Sequence, residues 1–213
     1  MYIPIFNQMD NGKYGERPMI LAMKGHPGTG KSTLAQSIAK TLKCPLIDKD
    51  HFKDCTKPLQ QITKATKLIN DLSYDAMWRV ASAQLDLGLS VVIDSPLSRR
   101  AHLDRIIEIA NHSGAQVVVV ECKPRDQAKW RRRLELRGEL VEYGSSWHKP
   151  STWQEMEKLL EGYEGCWDYD VGVEVPRLVV DTTCANGVQQ VVSNVLEFVS
   201  NACGEKKKKL YVN

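Results

Sequence analysis

The sequence lacks several signals that would assign it to common classes. Its six cysteines, Cys44, Cys55, Cys122, Cys166, Cys184 and Cys203, are scattered, and no two form a C-x-x-C pair. That spacing argues against a zinc knuckle. No apolar run approaches the roughly 18 residues of a membrane span. The first residues lack the charged-then-apolar pattern of a secretory leader. An excess of one charge is also missing. The formal net charge is +3, too small to indicate nucleic acid by itself. There is no internal repeat and no low-complexity linker. The expectation is a reduced, cytoplasmic chain, monomeric or weakly dimeric, with no membrane partner and with nucleic acid not favoured.

What is present is a chain of 213 residues, 42% hydrophobic and 26% charged, which suits one α/β domain with a proper core. Short apolar runs at residues 19–23, 44–47, 89–93, 117–120 and 178–180 read as strands. The β-branched run Val117-Val118-Val119-Val120 suits a strand covered on both faces. Between the runs, apolar residues recur at helical spacing. Leu34, Ile38 and Leu42 form one face, and Ile69, Leu72, Ala76, Val80, Ala83 and Leu87 another. Leu103, Ile106, Ile107 and Ala110 form a third, and Val188, Val191, Val192, Val195 and Val199 a fourth. Gly88 and Gly114 are natural helix stops. Ser151 or Thr152 opens a further helix, because each has Gln or Glu three residues on. Strands alternating with helices predict about five parallel strands with helices on both faces. The expected divisions are an arm over 1–17, a domain over 18–203 with a helical lid at about 125–149, and a basic tail over 204–213.

Gly25-His26-Pro27-Gly28-Thr29-Gly30-Lys31-Ser32 matches G-x-x-x-x-G-K-[ST] at every fixed position. The glycines let backbone N–H groups curl around a β-phosphate without Cβ clashes. The following helix points its positive end at the same anion, and Thr33 lies in its first turn. Lys31 would reach the β- and γ-phosphates, and the Ser32 hydroxyl would face Mg²⁺. The expected ligands are therefore ATP and Mg²⁺. Within the loop, His26 occupies a variable position and is expected to point outward.

Three further signals lie downstream. Val91-Val92-Ile93-Asp94 is an apolar strand ending in a carboxylate, the layout in which Asp94 holds Mg²⁺ directly or through water. Ser95 follows it where many ATP-driven motors carry Glu. Asp50, after the second strand, stands where a substrate hydroxyl would dock and could accept its proton. Asp48 is the other carboxylate there, with a role near Mg²⁺ as its alternative. Arg133 and Arg137 are four apart and share a helix face, from which guanidinium groups could stabilise charge during transfer. Each signal has a plainer reading, as a strand-end cap, a charged turn or a solvated basic helix.

Together these residues resemble the small P-loop kinase group that includes zeta-toxin-like kinases, chloramphenicol phosphotransferase and the kinase domain of polynucleotide kinase, among AAA-type P-loop NTPases. The resemblance spans most of residues 19–200. It implies a three-layer P-loop sandwich and a kinase acting on a small-molecule hydroxyl. It makes Asp50 the base, Lys53 a substrate contact, Arg133 and Arg137 the lid arginines, and residues 182–186, including Thr182 and Thr183, neighbours of adenine. The alternatives are a nucleotide-dependent switch that hydrolyses ATP slowly, or a polynucleotide 5′-hydroxyl kinase. His148, before Lys149-Pro150, could touch substrate in a closed lid but reads rather as an ordinary loop histidine. The tryptophans Trp130, Trp147, Trp153 and Trp167 could stack on a base but read rather as packing between lid and core.

Overall fold

The computed structural model describes residues 17–63, 65–139, 148–184 and 187–209. Most of the expected arm, part of the lid with Trp147, residues 185–186 of the expected adenine loop and the last four residues lie outside them.

Five strands form one parallel sheet: β1 (Met19–Lys24), β2 (Leu46–Asp48), β3 (Val91–Asp94), β4 (Gln116–Cys122) and β5 (Arg177–Val180). Their order is β2-β3-β1-β4-β5. Side chains alternate across a strand, so β1 feeds two cores. Met19, Leu21 and Met23 pack with α1 (Lys31–Leu42) and α8 (Gly187–Lys209) through Leu34, Ile38, Val192 and Val195. Ile20 and Ala22 pack on the opposite face with α4 (Thr66–Asp86) and α5 (Arg100–Ser113) through Met77, Leu103 and Ile106. Val118 and Val120 join the first core and Val119 the second, as expected of a strand covered on both sides.

The stops expected at Gly88 and Gly114 have left-handed backbones, with φ +76° and +67°. Thr152 rather than Ser151 caps α7 (Trp153–Glu161), in a capping box with Glu155. Two short helices follow β2 where the sequence shows no periodic face: α2 (Lys49–Cys55) and α3 (Lys57–Ile62). Asp48 starts α2 by accepting a hydrogen bond from Asp50 N at 2.8 Å. The basic segment after β4 is α6 (Gln127–Glu139), and α8 carries the backbone of the lysine run at 206–209. No described helix is long and apolar enough to cross a membrane.

This topology fixes the site. β1 lies between β3 and β4, so its outgoing loop emerges where the connections diverge to opposite sides, the usual ligand position in an open α/β sheet. The register aligns Asp48 with Asp94 at the carboxyl ends of β2 and β3.

Candidate active site

The chain turns from β1 into α1 through the glycine-rich loop. Gly28 and Gly30 have φ of +78° and +84°, values that any residue with a Cβ adopts only with strain. A Cβ at Gly25 would lie 2.9 Å from Thr29 Oγ1 and 3.1 Å from Cys122 O. Gly30 is the N-cap of α1 and no side chain caps that end. The helix therefore offers amides and a positive end to an anion.

Lys31 Nζ lies 2.5 Å from Asp94 Oδ1, and Asp94 is 1% exposed. Burial opposes the charge on Lys31, but Asp94 first, then Asp50 and Asp48, outweigh it and raise its pKa. Asp48 is also pushed up, by burial and by the Asp94 carboxylate, against the hydrogen bond from Asp50 N. Asp94 Oδ2 and Ser95 Oγ are buried with no hydrogen-bond partner among the described residues. An unpartnered buried carboxylate oxygen suits a hard cation or its water. Ser32 lies in the first turn of α1, next to Lys31. No three described His, Cys, Asp or Glu residues group around one point to hold a metal. The fit is therefore to Mg²⁺ carried on phosphates and water, with Ser32 and Asp94 as the protein's contribution.

Asp50 is held by three cationic or hydrogen-bonding side chains. Lys149 Nζ lies 2.7 Å away, Lys49 Nζ 2.9 Å and His148 Nε2 3.1 Å. Burial alone would raise its pKa. The His148 hydrogen bond and the two ammonium groups overcome that and hold it far below the usual carboxylate range. His148 also approaches Asp54 at 3.4 Å. Its side chain is 6% exposed, so it is a buried member of this network rather than an ordinary loop histidine. Lys53 donates to Asn70 Oδ1 at 3.4 Å.

From α6, Arg133 donates to Thr182 O at 2.9 Å and Arg137 to Pro150 O at 2.5 Å. Burial lowers the Arg137 pKa, with Asp50 opposing. Arg132, on another face, is exposed. Trp130 Nε1 donates to Pro27 O at 2.9 Å, and Trp130 meets Trp153 edge-on at 5.2 Å. His26 does not point outward. Its ring stacks on Trp167 at 3.6 Å between centroids, and burial, then Lys24, lowers its pKa to about 4. The Thr182 hydroxyl donates to Thr29 O. Thr183 is buried, and its hydroxyl accepts from Arg125 N and Asp126 N at 3.2 and 3.0 Å, so it anchors the start of α6.

One cavity of about 960 Å³ joins these groups. Its wall includes residues 25–28 and 30–33, Asp50, Lys53, Arg133, Arg137 and Thr182. Thr29, Asp94 and Thr183 are not in the wall, and Asp94 touches it through Lys31. The sequence reading missed Lys49 and Lys149 and set His148 aside as an ordinary loop residue. Only the position of His148-Lys149 within the expected lid hinted at them.

The fold and the glycine loop define a P-loop α/β sandwich. A family model described as AAA domain matches residues 20–161, and the chain belongs to that family. A comparison with curated protein sequences finds no match. Among solved structures, a provisionally assigned kinase from Chloroflexus aurantiacus j-10-fl is similar at 20% identity and TM-score 0.67, over 85% of this chain and 98% of that one. A gluconokinase from Sinorhizobium meliloti 1021 is similar at 19% identity and TM-score 0.58, over 90% and 97%. The Mycobacterium tuberculosis APS kinase CysC, solved with AMPPNP and APS, is similar at 14% identity and TM-score 0.56, over 86% and 98%. At the level of fold, these likenesses agree with the small P-loop kinase group expected from the sequence.

Proposed function

We propose that this protein is a phosphotransferase that moves the γ-phosphate of ATP to a hydroxyl of a small molecule. The observation that carries this reading is the shared cavity, which has the P-loop, Asp50, Arg133 and Arg137 in one wall. A switch or slow ATPase has no need of a buried carboxylate held ionised in that wall, and Ser95 offers no carboxylate to activate water.

The loop amides and Lys31 would cradle the β- and γ-phosphates, Lys31 exchanging Asp94 for phosphate oxygen. When bound with the nucleotide, Mg²⁺ would neutralise phosphate charge, held by Ser32 and by Asp94 directly or through water. Arg133 and Arg137 would lie against the oxygens that gain charge during transfer. Thr182, next to Gly30 and Arg133, lies where the nucleoside end would run. Asp50 would accept a hydrogen bond from the acceptor hydroxyl and aim its oxygen at the γ-phosphorus. A new P–O bond forms as the β–γ bridging bond breaks, and ADP leaves with that electron pair. Asp50 is too weakly basic to ionise the hydroxyl beforehand. It takes the proton as the new bond forms, when the attacking oxygen has become acidic. A metabolite screen for acceptor-stimulated ADP release tests the proposal, and a chain that no hydroxyl compound stimulates contradicts it.

A further inference from the structure

Three cations in the cavity wall have no part in the phosphate chemistry. Lys49 and Lys149 are paired with Asp50, and Lys31, Arg133 and Arg137 belong to the nucleotide end. Lys53, Lys67 and Arg99 remain. Among the described residues none of the three is ion-paired, although Arg100, next to Arg99, pairs with Asp104. They come from α2, from α4 and from the residue before α5. On α4, Lys67, Asn70, Asp71 and Tyr74 follow at helical spacing and share one face, and all four line the cavity. The hydrogen bond from Lys53 to Asn70 ties α2 to that face. The His102 ring stacks on Tyr74 at 4.2 Å between centroids, which ties α5 to it as well.

Three uncompensated cations thus share a wall with one further carboxylate, Asp71. Burial, then Lys49, lowers the Lys53 pKa to about 8 against the pull of Asp50 and Asp54. An ammonium group short of counter-charge is stabilised by an incoming anion. Burial, then Arg99 and Lys49, lowers His102 to about 4, so its ring is neutral at neutral pH. Its Nδ1 is buried without a hydrogen-bond partner among the described residues, which suits a ligand hydroxyl.

We propose that the acceptor is a small hydroxylated oxyanion, with its anionic group bound by Lys53, Lys67 and Arg99 and a hydroxyl presented to Asp50. This rests on the phosphotransfer reading above. Lys53 is half-buried while Lys67 and Arg99 reach water, and a neutral polyol would bring none of the three a counter-charge. A carboxylate and a phosphate ester share the required chemistry.

Two matched trios test it by ADP release with Mg·ATP: glycerol, glycerate and glycerol 3-phosphate, and sorbitol, gluconate and sorbitol 6-phosphate. Stimulation by a charged member of at least one trio and by neither neutral member is expected. The charged member that works separates carboxylate from phosphate. Lys53→Gln and Arg99→Gln should each raise its KM about 10- to 100-fold, the scale of a lost charged hydrogen bond, with a smaller change in kcat. Stimulation by the neutral members at equal KM, or only by an oligonucleotide with a 5′-hydroxyl, overturns the anion assignment and leaves phosphotransfer standing. If no member of either trio, no oligonucleotide and no compound of the wider metabolite screen stimulates, phosphotransfer fails and the anion site is judged by binding. With ADP bound, gluconate or glycerol 3-phosphate should move the Lys53 titration, followed by NMR of a ¹³C-labelled amine, to higher pH, and sorbitol should not. No movement with either anion overturns the site.

Discussion

Lys31 Nζ and Asp94 Oδ1 stand 2.5 Å apart at 11% and 1% side-chain exposure, joining the P-loop to the end of the neighbouring strand β3. The pair has two uses. It neutralises a carboxylate that could not stay buried and charged alone, and under the proposed function it keeps the ammonium where a phosphate would take it over. Lys31→Ala should abolish transfer and weaken ATP binding. It should also destabilise the fold by about 3 kcal/mol, because Asp94 loses its counter-charge. The double variant Lys31→Ala/Asp94→Asn should recover much of that stability and none of the activity. Denaturant midpoints and turnover of wild type and the two variants check this, and Lys31→Ala with wild-type turnover contradicts it.

Arg133 and Arg137 use the same helix face to reach different partners, Thr182 O and Pro150 O. Arg133→Ala and Arg137→Ala should lower kcat more than they weaken ground-state ATP binding, by about 10³-fold where one acts as an arginine finger. Single-turnover rates and nucleotide titrations separate the two effects. Unchanged kcat in both variants would reduce the pair to structural ties between α6 and its neighbours.

The Asp50 carboxylate lies far below its ordinary range because His148, Lys49 and Lys149 outweigh its burial. A lowered carboxylate pKa gives stability that is present above the unfolded value of about 3.9 and is lost as pH falls through the folded value. His148→Ala removes a hydrogen bond that opposes the burial of Asp50, so the Asp50 pKa should rise. The acid limb of kcat should then move to higher pH than in wild type. An unmoved limb would mean that His148 does not tune this carboxylate.

His26 stacks on Trp167, and its pKa is about 4 against an ordinary 6.5. The unfolded chain therefore binds a proton at a pH where the folded chain does not. The stability given by the neutral ring is complete above pH 6.5 and declines as pH falls towards 4, by up to about 3 kcal/mol. His26→Phe keeps a ring for the stack and removes the titration. Its stability, measured by denaturant unfolding between pH 7 and 4, should fall less steeply than that of wild type.

The parts of the site legible in the sequence are those that chemistry forces into adjacent residues. The glycine-rich loop is one because its glycines, Lys31 and Ser32 lie within one turn of backbone. Asp94 is another, because an apolar strand that ends in a carboxylate has a readable pattern. The Asp50 network was hidden because His148 and Lys149 are about a hundred residues from Asp50 in sequence. No local spacing records that meeting. The helices α2 and α3 were missed for a related reason: each is too short to show a period, and the first depends on the Asp48 cap. His26 read as a variable loop position because Trp167, its stacking partner, follows β4 and α7 in the chain. Thr183 stood beside Thr182 in the sequence reading, yet the two hydroxyls serve different neighbours, α6 and the P-loop.

Under the proposed function Asp50 directs an acceptor hydroxyl at the γ-phosphate. Asp50→Asn keeps size and removes charge, so ATP should still bind. The measurement is ADP release with and without the identified acceptor, in wild type and in Asp50→Asn. Acceptor-stimulated turnover should fall about 10²- to 10⁴-fold in the variant, while hydrolysis by water falls much less, since water does not dock on this carboxylate. Full acceptor-stimulated turnover in Asp50→Asn would contradict the account and leave Asp50 a structural anchor for Lys49, His148 and Lys149.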